Sequence, residues 1–225
     1  MQNAEINISE IFYSIQGEGL LAGRPSVFIR LAGCPLRCKY CDTEYALDSA
    51  SGTKMSIEQI MKKAMKHLPA FAVITGGEPL VSPHISLLCQ KIKEQNIHIT
   101  IETAGIKYVA NLACDLMSIS PKLSNAHSNE PDKAGYLKID QLRELIKNYD
   151  YQLKFVMEKI EDITEVYQLL NDLKDVDRSK VLLMPQARNL SEYLRISPLV
   201  VELCKANGFI FSPRLQLILG ETKPI

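Results

Sequence analysis

The chain has 225 residues, 46% hydrophobic, 23% charged and 7% aromatic, a composition that fits a soluble α/β protein and excludes long disorder. Lys plus Arg and Asp plus Glu number 26 each, so the formal net charge is zero and the basic excess of a phosphate-gripping nucleic-acid binder is missing. No apolar run reaches the roughly 18 residues of a membrane helix, and Met1-Gln2-Asn3-Ala4-Glu5 lacks the basic and apolar regions of a secretory leader, so a cytoplasmic address with reduced thiols is expected.

Short runs rich in Ile, Val and Phe alternate with stretches of helical spacing. Val27 to Leu31 is the first predicted strand, and a loop with three cysteines follows it. Ser56-Ile57-Glu58-Gln59 has the form of a capping box, and Ile57, Ile60, Met61, Ala64, Met65 and Leu68 would line one face of the helix behind it. Phe71 to Thr75 is the second strand, closed by Gly76-Gly77-Glu78-Pro79. Ser82-Pro83 suits a helix start, because proline at the first helical position gives up no needed hydrogen bond. Ile97 to Glu102 and Leu116 to Ser120 are the next strands. The polar run from Lys122 to Lys138 reads as a long loop and the most mobile segment. Asp140 is a candidate helix cap, Gln152 to Met157 a strand, and Glu161 to Lys174 a helix with Ile163, Val166, Tyr167 and Leu170 on one face. Lys180 to Met184 is the last predicted strand, and Ser191 a candidate cap for the helix after it.

Repeated strand, helix, strand units imply parallel pairing with right-handed crossovers. About six mainly parallel strands predict an incomplete (β/α) barrel or an open sheet, built as a single domain over residues 1–225. Ligands of such folds gather at the C-terminal ends of the strands. No Pro/Gly/Ser-rich linker, internal repeat or low-complexity tract divides the chain.

Of the six cysteines, Cys89, Cys114 and Cys204 stand alone in apolar surroundings and read as packed thiols. Cys34-Pro35-Leu36-Arg37-Cys38-Lys39-Tyr40-Cys41 is different: a CxxxCxxC motif in a loop after a strand can bring three thiolates to one metal centre. A structural zinc wants four closed ligands, and the nearest downstream histidine, His67, lies in a predicted helix. Three thiolates on a four-iron cluster would leave one iron open to a ligand. Gly76-Gly77-Glu78-Pro79 is by itself a turn; it also lets backbone carbonyls approach a ligand ammonium, with Glu78 adding a charge-assisted contact.

The cysteine spacing, the aromatic Tyr40 before the third cysteine and the later Gly-Gly-Glu-Pro together resemble the radical S-adenosylmethionine (SAM) superfamily. That resemblance implies a [4Fe-4S] cluster held by Cys34, Cys38 and Cys41, whose open iron is chelated by the amino and carboxylate groups of SAM. One electron then cleaves SAM to methionine and a 5′-deoxyadenosyl radical, which takes a hydrogen atom from the substrate, while the protein supplies orientation and isolation. From 10 to 186 the likeness is closer. Phe12-Tyr13-Ser14-Ile15-Gln16-Gly17-Glu18-Gly19, Cys41-Asp42-Thr43, Glu102-Thr103 and Ser120-Pro121-Lys122, in that order, resemble the 7-carboxy-7-deazaguanine synthase family of queuosine and 7-deazapurine biosynthesis.

This closer resemblance implies contraction of 6-carboxy-5,6,7,8-tetrahydropterin to 7-carboxy-7-deazaguanine with release of ammonia, and reuse of SAM. It implies a Mg²⁺ ion with Thr43 as its protein ligand; a neutral hydroxyl suits a hard cation, and capping of the next turn is the other reading of Thr43. It assigns Ile15, Gln16, Gly17, Arg30 and Thr75 to the substrate, Arg30 having an ordinary strand-end ion pair as its other reading. It assigns Tyr40, Cys41, Asp42, Gly76, Gly77, Glu78, Ser120, Pro121, Lys122 and Gln186 to SAM. The implied partners are a small-molecule pterin, an electron donor such as flavodoxin or ferredoxin, and a second copy of the chain in a homodimer, with neither nucleic acid nor membrane.

Three residues depart from the pattern or stand outside it: Leu47 occupies a position where many relatives carry Trp, Ile225 has no assignable role, and His127 reads as a surface histidine. Two other classes share some of these features. A radical SAM activase for a glycyl-radical partner has a similar length and cysteine motif, but Gln16-Gly17-Glu18-Gly19, Thr43 and Arg30 argue against it. The other is a zinc-stapled binding module.

Overall fold

The computed structural model describes residues 4–127 and 136–220. Nine strands form one open sheet in the order β3-β1-β2-β4-β5-β6-β7-β8-β9. The strands are β1 (Glu5–Ile15), β2 (Pro25–Leu31), β3 (Thr53–Ser56), β4 (Phe71–Gly76), β5 (His98–Thr103), β6 (Leu116–Ile119), β7 (Tyr151–Met157), β8 (Val181–Pro185) and β9 (Ile210–Phe211). From β2 through β9 every pairing is parallel. Only β1 runs the other way, antiparallel to both β2 and β3. The expected incomplete barrel is therefore present, with three strands beyond the six predicted.

Helices α1 (Ile57–Ala64), α2 (Ile85–Lys93), α3 (Ile139–Asn148), α4 (Asp162–Leu173), α5 (Leu190–Asn207) and α6 (Leu215–Ile218) lie along the chain between or after the strands. Period-two alternation explains the core. Ile29, Ile74, Ile99, Ile101, Met117, Ile119, Leu153, Phe155 and Leu183 are buried in a single apolar cluster together with the helices' apolar faces. The alternate positions of the same strands carry Arg30, Thr75, Glu102, Ser118, Gln152 and Lys154, which lie outside that cluster. So one face of the sheet packs on helices, and the other is polar and available for chemistry.

Side-chain caps fix the starts of α1 and α5. Ser56 and Gln59 form the predicted capping box of α1, with Gln59 N–H donating to Ser56 Oγ at 3.2 Å and Ser56 N–H to Gln59 Oε1 at 2.8 Å. Leu68 is not on that helix's apolar face: α1 ends at Ala64, a short 3₁₀ turn follows, and Leu68 takes a left-handed conformation with its side chain exposed. Ser82-Pro83 does not open α2, which begins at Ile85 after a 3₁₀ turn over Pro79–Val81 capped by Glu78. Asp140 and Ser191 sit inside the first turns of their helices. Lys138 holds the cap position of α3, and Asn189, whose side chain accepts from Glu192 N–H at 2.9 Å, caps α5. Within the predicted loop from Lys122 to Lys138, Ser124–Ala126 forms a 3₁₀ turn, while 128–135 lie outside the described residues. No helix among the described residues is long and apolar enough to cross a membrane.

Candidate active site

The cysteine loop leaves the C-terminal end of β2. Two backbone bonds close its base: Gly33 N–H to Ala46 O at 2.8 Å and Cys34 N–H to Leu47 O at 3.0 Å. Leu47 contributes its carbonyl to this closure, a bond that does not depend on its side chain. Inside the loop, Cys41 N–H donates to Cys38 O at 3.1 Å, and the Arg37 guanidinium donates to the Cys34 and Leu36 carbonyls at 2.6 and 2.8 Å. Lys39 N–H donates to Ala126 O at 2.9 Å, fixing the middle of the loop to the segment after β6. That segment is itself anchored, because the buried Asn125 amide donates to Val156 O at 2.9 Å and to Asp162 Oδ2 at 2.8 Å. His127 is not a free surface residue; its ring packs edge-on against Tyr136 at 3.9 Å, and Tyr136 accepts from Arg37 N–H.

Cys34, Cys38 and Cys41 are free, half-buried thiols. Burial pushes the Cys34 thiol up to about 11. Burial also raises Cys38, and the Lys122 ammonium opposes that rise. Thiolates here therefore need a cationic centre to hold them. Among the described residues no three His, Cys, Asp or Glu side chains gather as one metal ion would require. Three spaced thiols in one loop fit a cluster that takes one iron per sulfur better than they fit a single zinc. Cys89 and Cys204 are buried and Cys114 half-buried, packed in or against the apolar core.

The Gly76-Gly77 pair is required by backbone packing. Gly77 N–H donates to Leu31 O at 2.8 Å and Glu78 N–H to Gly33 O at 2.9 Å, so the end of β4 lies against the root of the cysteine loop. A Cβ on Gly77 would come within 2.0 Å of Gly33 O, and one on Gly76, whose φ is +125°, within 2.2 Å of Leu31 O. Glu78 does not offer its carboxylate to a ligand. It is buried and accepts from Thr103 Oγ1 at 2.6 Å, Leu80 N–H at 3.1 Å and Ala104 N–H at 2.7 Å, which ties this turn to the end of β5. Burial nonetheless raises its pKa above the ordinary carboxylate value. Ser120 and Lys122 stand nearby, with the Lys122 ammonium on Ser120 O and Oγ at 2.9 and 3.0 Å, and Pro121 is buried between them.

The loop from Gln16 to Arg24 folds over the polar face of the sheet. Gln16 is buried, and both ends of its amide are engaged: Nε2 donates to Glu102 Oε1 at 3.0 Å, and Oε1 accepts from Glu18 N–H at 3.1 Å. Its role is thus first to shape the loop. Gly17 is buried beside it and Ile15, the last residue of β1, is exposed. Glu18 reaches Lys154 Nζ at 2.5 Å, Arg214 Nε at 3.2 Å and Gln216 Nε2 at 2.7 Å. Burial alone would raise its carboxyl, but Lys154 and then Arg214 hold it down at about 2. Its contribution to stability is therefore complete above about pH 4.5 and is lost as the pH falls toward 2. Lys154→Met leaves Glu18 with Arg214 and the Gln216 amide and should cost roughly 3 kcal/mol, as for a broken buried ion pair. Urea denaturation of the anaerobic holoprotein measures this, and the double variant Lys154→Met/Glu18→Gln should recover part of the loss. An unchanged midpoint in the single variant would mean that the pair stabilises nothing.

Arg30 lies beside Thr75 in the β2–β4 register, and Thr75 is buried. Arg30 Nε pairs with Glu10 at 2.6 Å and its guanidinium stands 5.8 Å from the Phe12 ring centroid. Its Nη groups make no hydrogen bond among the described residues, so the ion-pair reading and the ligand reading are compatible. Thr43 holds the cap position of a 3₁₀ turn, Glu44–Ala46, yet its hydroxyl makes no capping bond and lies 3.7 Å from Cys41 Sγ. Asp42 is largely exposed and pairs with Arg214 Nη2 at 2.9 Å. A cleft of about 280 Å³ beside the cysteine loop is lined by Tyr40, Gln186, Lys39, Arg188 and Arg195, among others. A larger one of about 400 Å³ reaches Gly33 and Glu78 from the β1–β3 side and touches no cysteine.

Lys154 and Arg214 carry charge in this site without having been singled out from the sequence, and Glu102 was part of a motif without an assigned role. The signal for Lys154 was available: in Tyr151-Gln152-Leu153-Lys154-Phe155, polar residues take every second place of a fully buried strand. Arg214 follows a proline in an unpatterned stretch and offers no such signal.

Comparison with known proteins agrees with this arrangement. Residues 28–177 match the Radical SAM superfamily. The 7-carboxy-7-deazaguanine synthase of Rhodopirellula baltica is 34% identical over 219 residues, covering 93% of this chain and 84% of that one. The enzyme of the same name from Halobacterium salinarum is 33% identical, covering 96% and 91%. The crystal structure of QueE from Escherichia coli superposes with a TM-score of 0.73 at 26% identity, covering 93% and 94%.

Proposed function

The chain belongs to the 7-carboxy-7-deazaguanine synthase family of radical SAM enzymes, and we propose that it contracts 6-carboxy-5,6,7,8-tetrahydropterin to 7-carboxy-7-deazaguanine with loss of ammonia. The observation that carries this reading is the seating of the 16–19 loop on inward-facing Glu102 and Lys154, on the sheet face that ends at the cysteine loop. Cys34, Cys38 and Cys41 would hold a [4Fe-4S] cluster, which with SAM supplies one-electron chemistry that no side chain provides.

The chain's own residues bind and orient. Tyr40 and Gln186 share a cleft beside the cysteines, which supports a SAM role for them, with the Cys41-Asp42 backbone, Gly76, Gly77 and the Ser120-Pro121-Lys122 turn around it. Glu78 serves that set by holding the turn. The Nη donors of Arg30 suit a bidentate carboxylate, and Thr75 adds a hydroxyl beside them. Backbone groups of Ile15 and Gly17, with Gln16 and Glu102 behind them, suit the donor and acceptor edge of a pterin. The uncapped hydroxyl of Thr43 supports its reading as a Mg²⁺ ligand. Exposed Arg37, Lys39, Arg188 and Arg195 around the cysteine loop favour an acidic electron carrier of the flavodoxin or ferredoxin class. Residues 1–225 act as one domain, in a cytoplasmic homodimer.

Reduced, anaerobic protein with SAM and Mg²⁺ should yield the deazaguanine and ammonia, with product far in excess of free 5′-deoxyadenosine. The pterin lacking its carboxylate should react at least ~100-fold more slowly, because the Arg30 Nη donors that would receive that group are left without an acceptor. Mass spectrometry counts both products. Absence of contracted product from an iron-replete preparation rejects the reaction.

A further inference from the structure

Arg214 is buried, at 7% exposure, and its guanidinium holds three acceptors from three distant parts of the chain. Nε meets Glu18 Oε1 at 3.2 Å, Nη2 meets Asp42 Oδ2 at 2.9 Å, and Nη1 donates to the Ala187 carbonyl. Each partner adjoins a ligand residue of the reading above: Glu18 follows Gly17, Asp42 follows Cys41, and Ala187 follows Gln186.

Charge balance accounts for only part of this placement. Glu18 already has Lys154 at 2.5 Å and the Gln216 amide at 2.7 Å. The Asp42 side chain is 64% exposed and so does not require a protein cation. Burying a guanidinium is costly, and nothing in the fold would be left with an unpaired buried charge without it. What a guanidinium provides, and an ammonium does not, is a rigid plane with donors at set angles.

The segment that presents Arg214 is already joined to the substrate loop. Leu215 N–H donates to Gly17 O at 3.0 Å, Gly19 N–H to Ser212 Oγ at 2.9 Å, and Gln216 Nε2 to Glu18. Residues 16–24 and 212–216 are therefore joined to each other, and both are bonded to the sheet through Glu102, Gln152, Lys154 and Leu183. Among the described residues, the Arg214–Asp42 bond is the only hydrogen bond from these two segments to the cysteine loop, 32–47.

We propose that Arg214 is a positioning residue, which fixes the separation between the substrate-bearing loop and the cysteine loop without itself touching the reacting atoms. The proposal rests on the assignment of those two loops to substrate and cluster. A misplacement of about 1 Å between reacting groups can cost ~100-fold in rate, so its loss should uncouple SAM cleavage from product formation.

The test uses the anaerobic holoenzyme of the parent, Arg214→Lys, Asp42→Ala and the double variant. Arg214→Lys keeps the charge, and Asp42→Ala removes the acceptor of the Arg214 bond at an exposed side chain, so folding is preserved in at least one arm. Iron content and equilibrium binding of SAM to the oxidised enzyme should stay within ~2-fold of the parent in each. The ratio of deazaguanine to 5′-deoxyadenosine should fall ~10-fold or more in both single variants. The double variant should be no worse than Arg214→Lys alone, since that variant has already lost the Arg214–Asp42 contact. Parental ratios in both single variants would overturn the proposal, as would losses of iron and SAM binding that account for the whole effect. If the parent itself makes no contracted product, the reaction assigned above has failed and this proposal falls with it; a working parent with unaltered variants rejects the proposal alone.

Discussion

Cys38→Ala should leave a folded protein with little iron and no measurable SAM cleavage, a loss of more than ~10³-fold, and Cys34→Ala and Cys41→Ala should match it. The three thiols share one loop held at its base, its middle and its root by backbone bonds, so removing any one leaves too few ligands for the cluster without disturbing the fold around it. The other cysteines supply the control. Cys89 lies in α2 and Cys204 in α5, both buried in the apolar cluster. Replacing either with Ala removes a sulfur from a packed site and should cost roughly 1–2 kcal/mol, with iron per folded protein unchanged. Iron and sulfide assays across the set decide the matter. Loss of the cluster from a folded Cys204→Ala protein would sink the assignment.

Gly77→Ala should be as damaging, by a different route. The new methyl group would meet Gly33 O at 2.0 Å, Gly33 C at 2.4 Å and Cys34 N at 3.0 Å, all of them backbone atoms that no rotamer change can move. Separating β4 from the cysteine loop breaks the Gly77–Leu31 and Glu78–Gly33 bonds, so a loss above roughly 3 kcal/mol and failure to retain iron are expected. Gly17→Ala is the informative contrast. Its methyl would lie 2.1 Å from the end of the Gln216 side chain, which can swing away, so stability should fall by about 1 kcal/mol or less. Urea denaturation and iron content measure both variants. A Gly77→Ala protein with parental stability would show that the two backbones have room to separate.

Much of the parallel sheet was legible because its strands are short apolar runs between polar turns, a pattern that side-chain burial imposes directly. β1 escaped because most of its residues are only half-buried and its second half carries Glu10, which is explained only by its partner Arg30 across the β1–β2 pair. β3 and β9, of four and two residues, are too short to show a period. In the site, the cysteines and the Gly-Gly turn could be read because each needs a particular residue type at fixed local spacing. The turn also has a use within the protein: its glycines admit another backbone, and Glu78 is bound to the end of β5. Arg214 could not be read at all, since its meaning lies in acceptors 196 and 172 residues away that only the folded chain brings together.

An open sheet has two unpaired borders, and each is a template on which another chain could add a strand and seed aggregation. In this molecule the outermost strands are short, and where β1 runs past β3 its residues 9–15, Glu10 among them, form the rest of that border. β3 offers four residues and exposes Thr53 and Lys54, a solvated cation that resists stacking of like chains. β9 offers two residues and runs at once into Ser212-Pro213, where proline supplies no N–H for a further ladder. The sheet thus remains unclosed while its outermost strands, one carrying an exposed lysine and the other ended by a proline, offer little to a further strand.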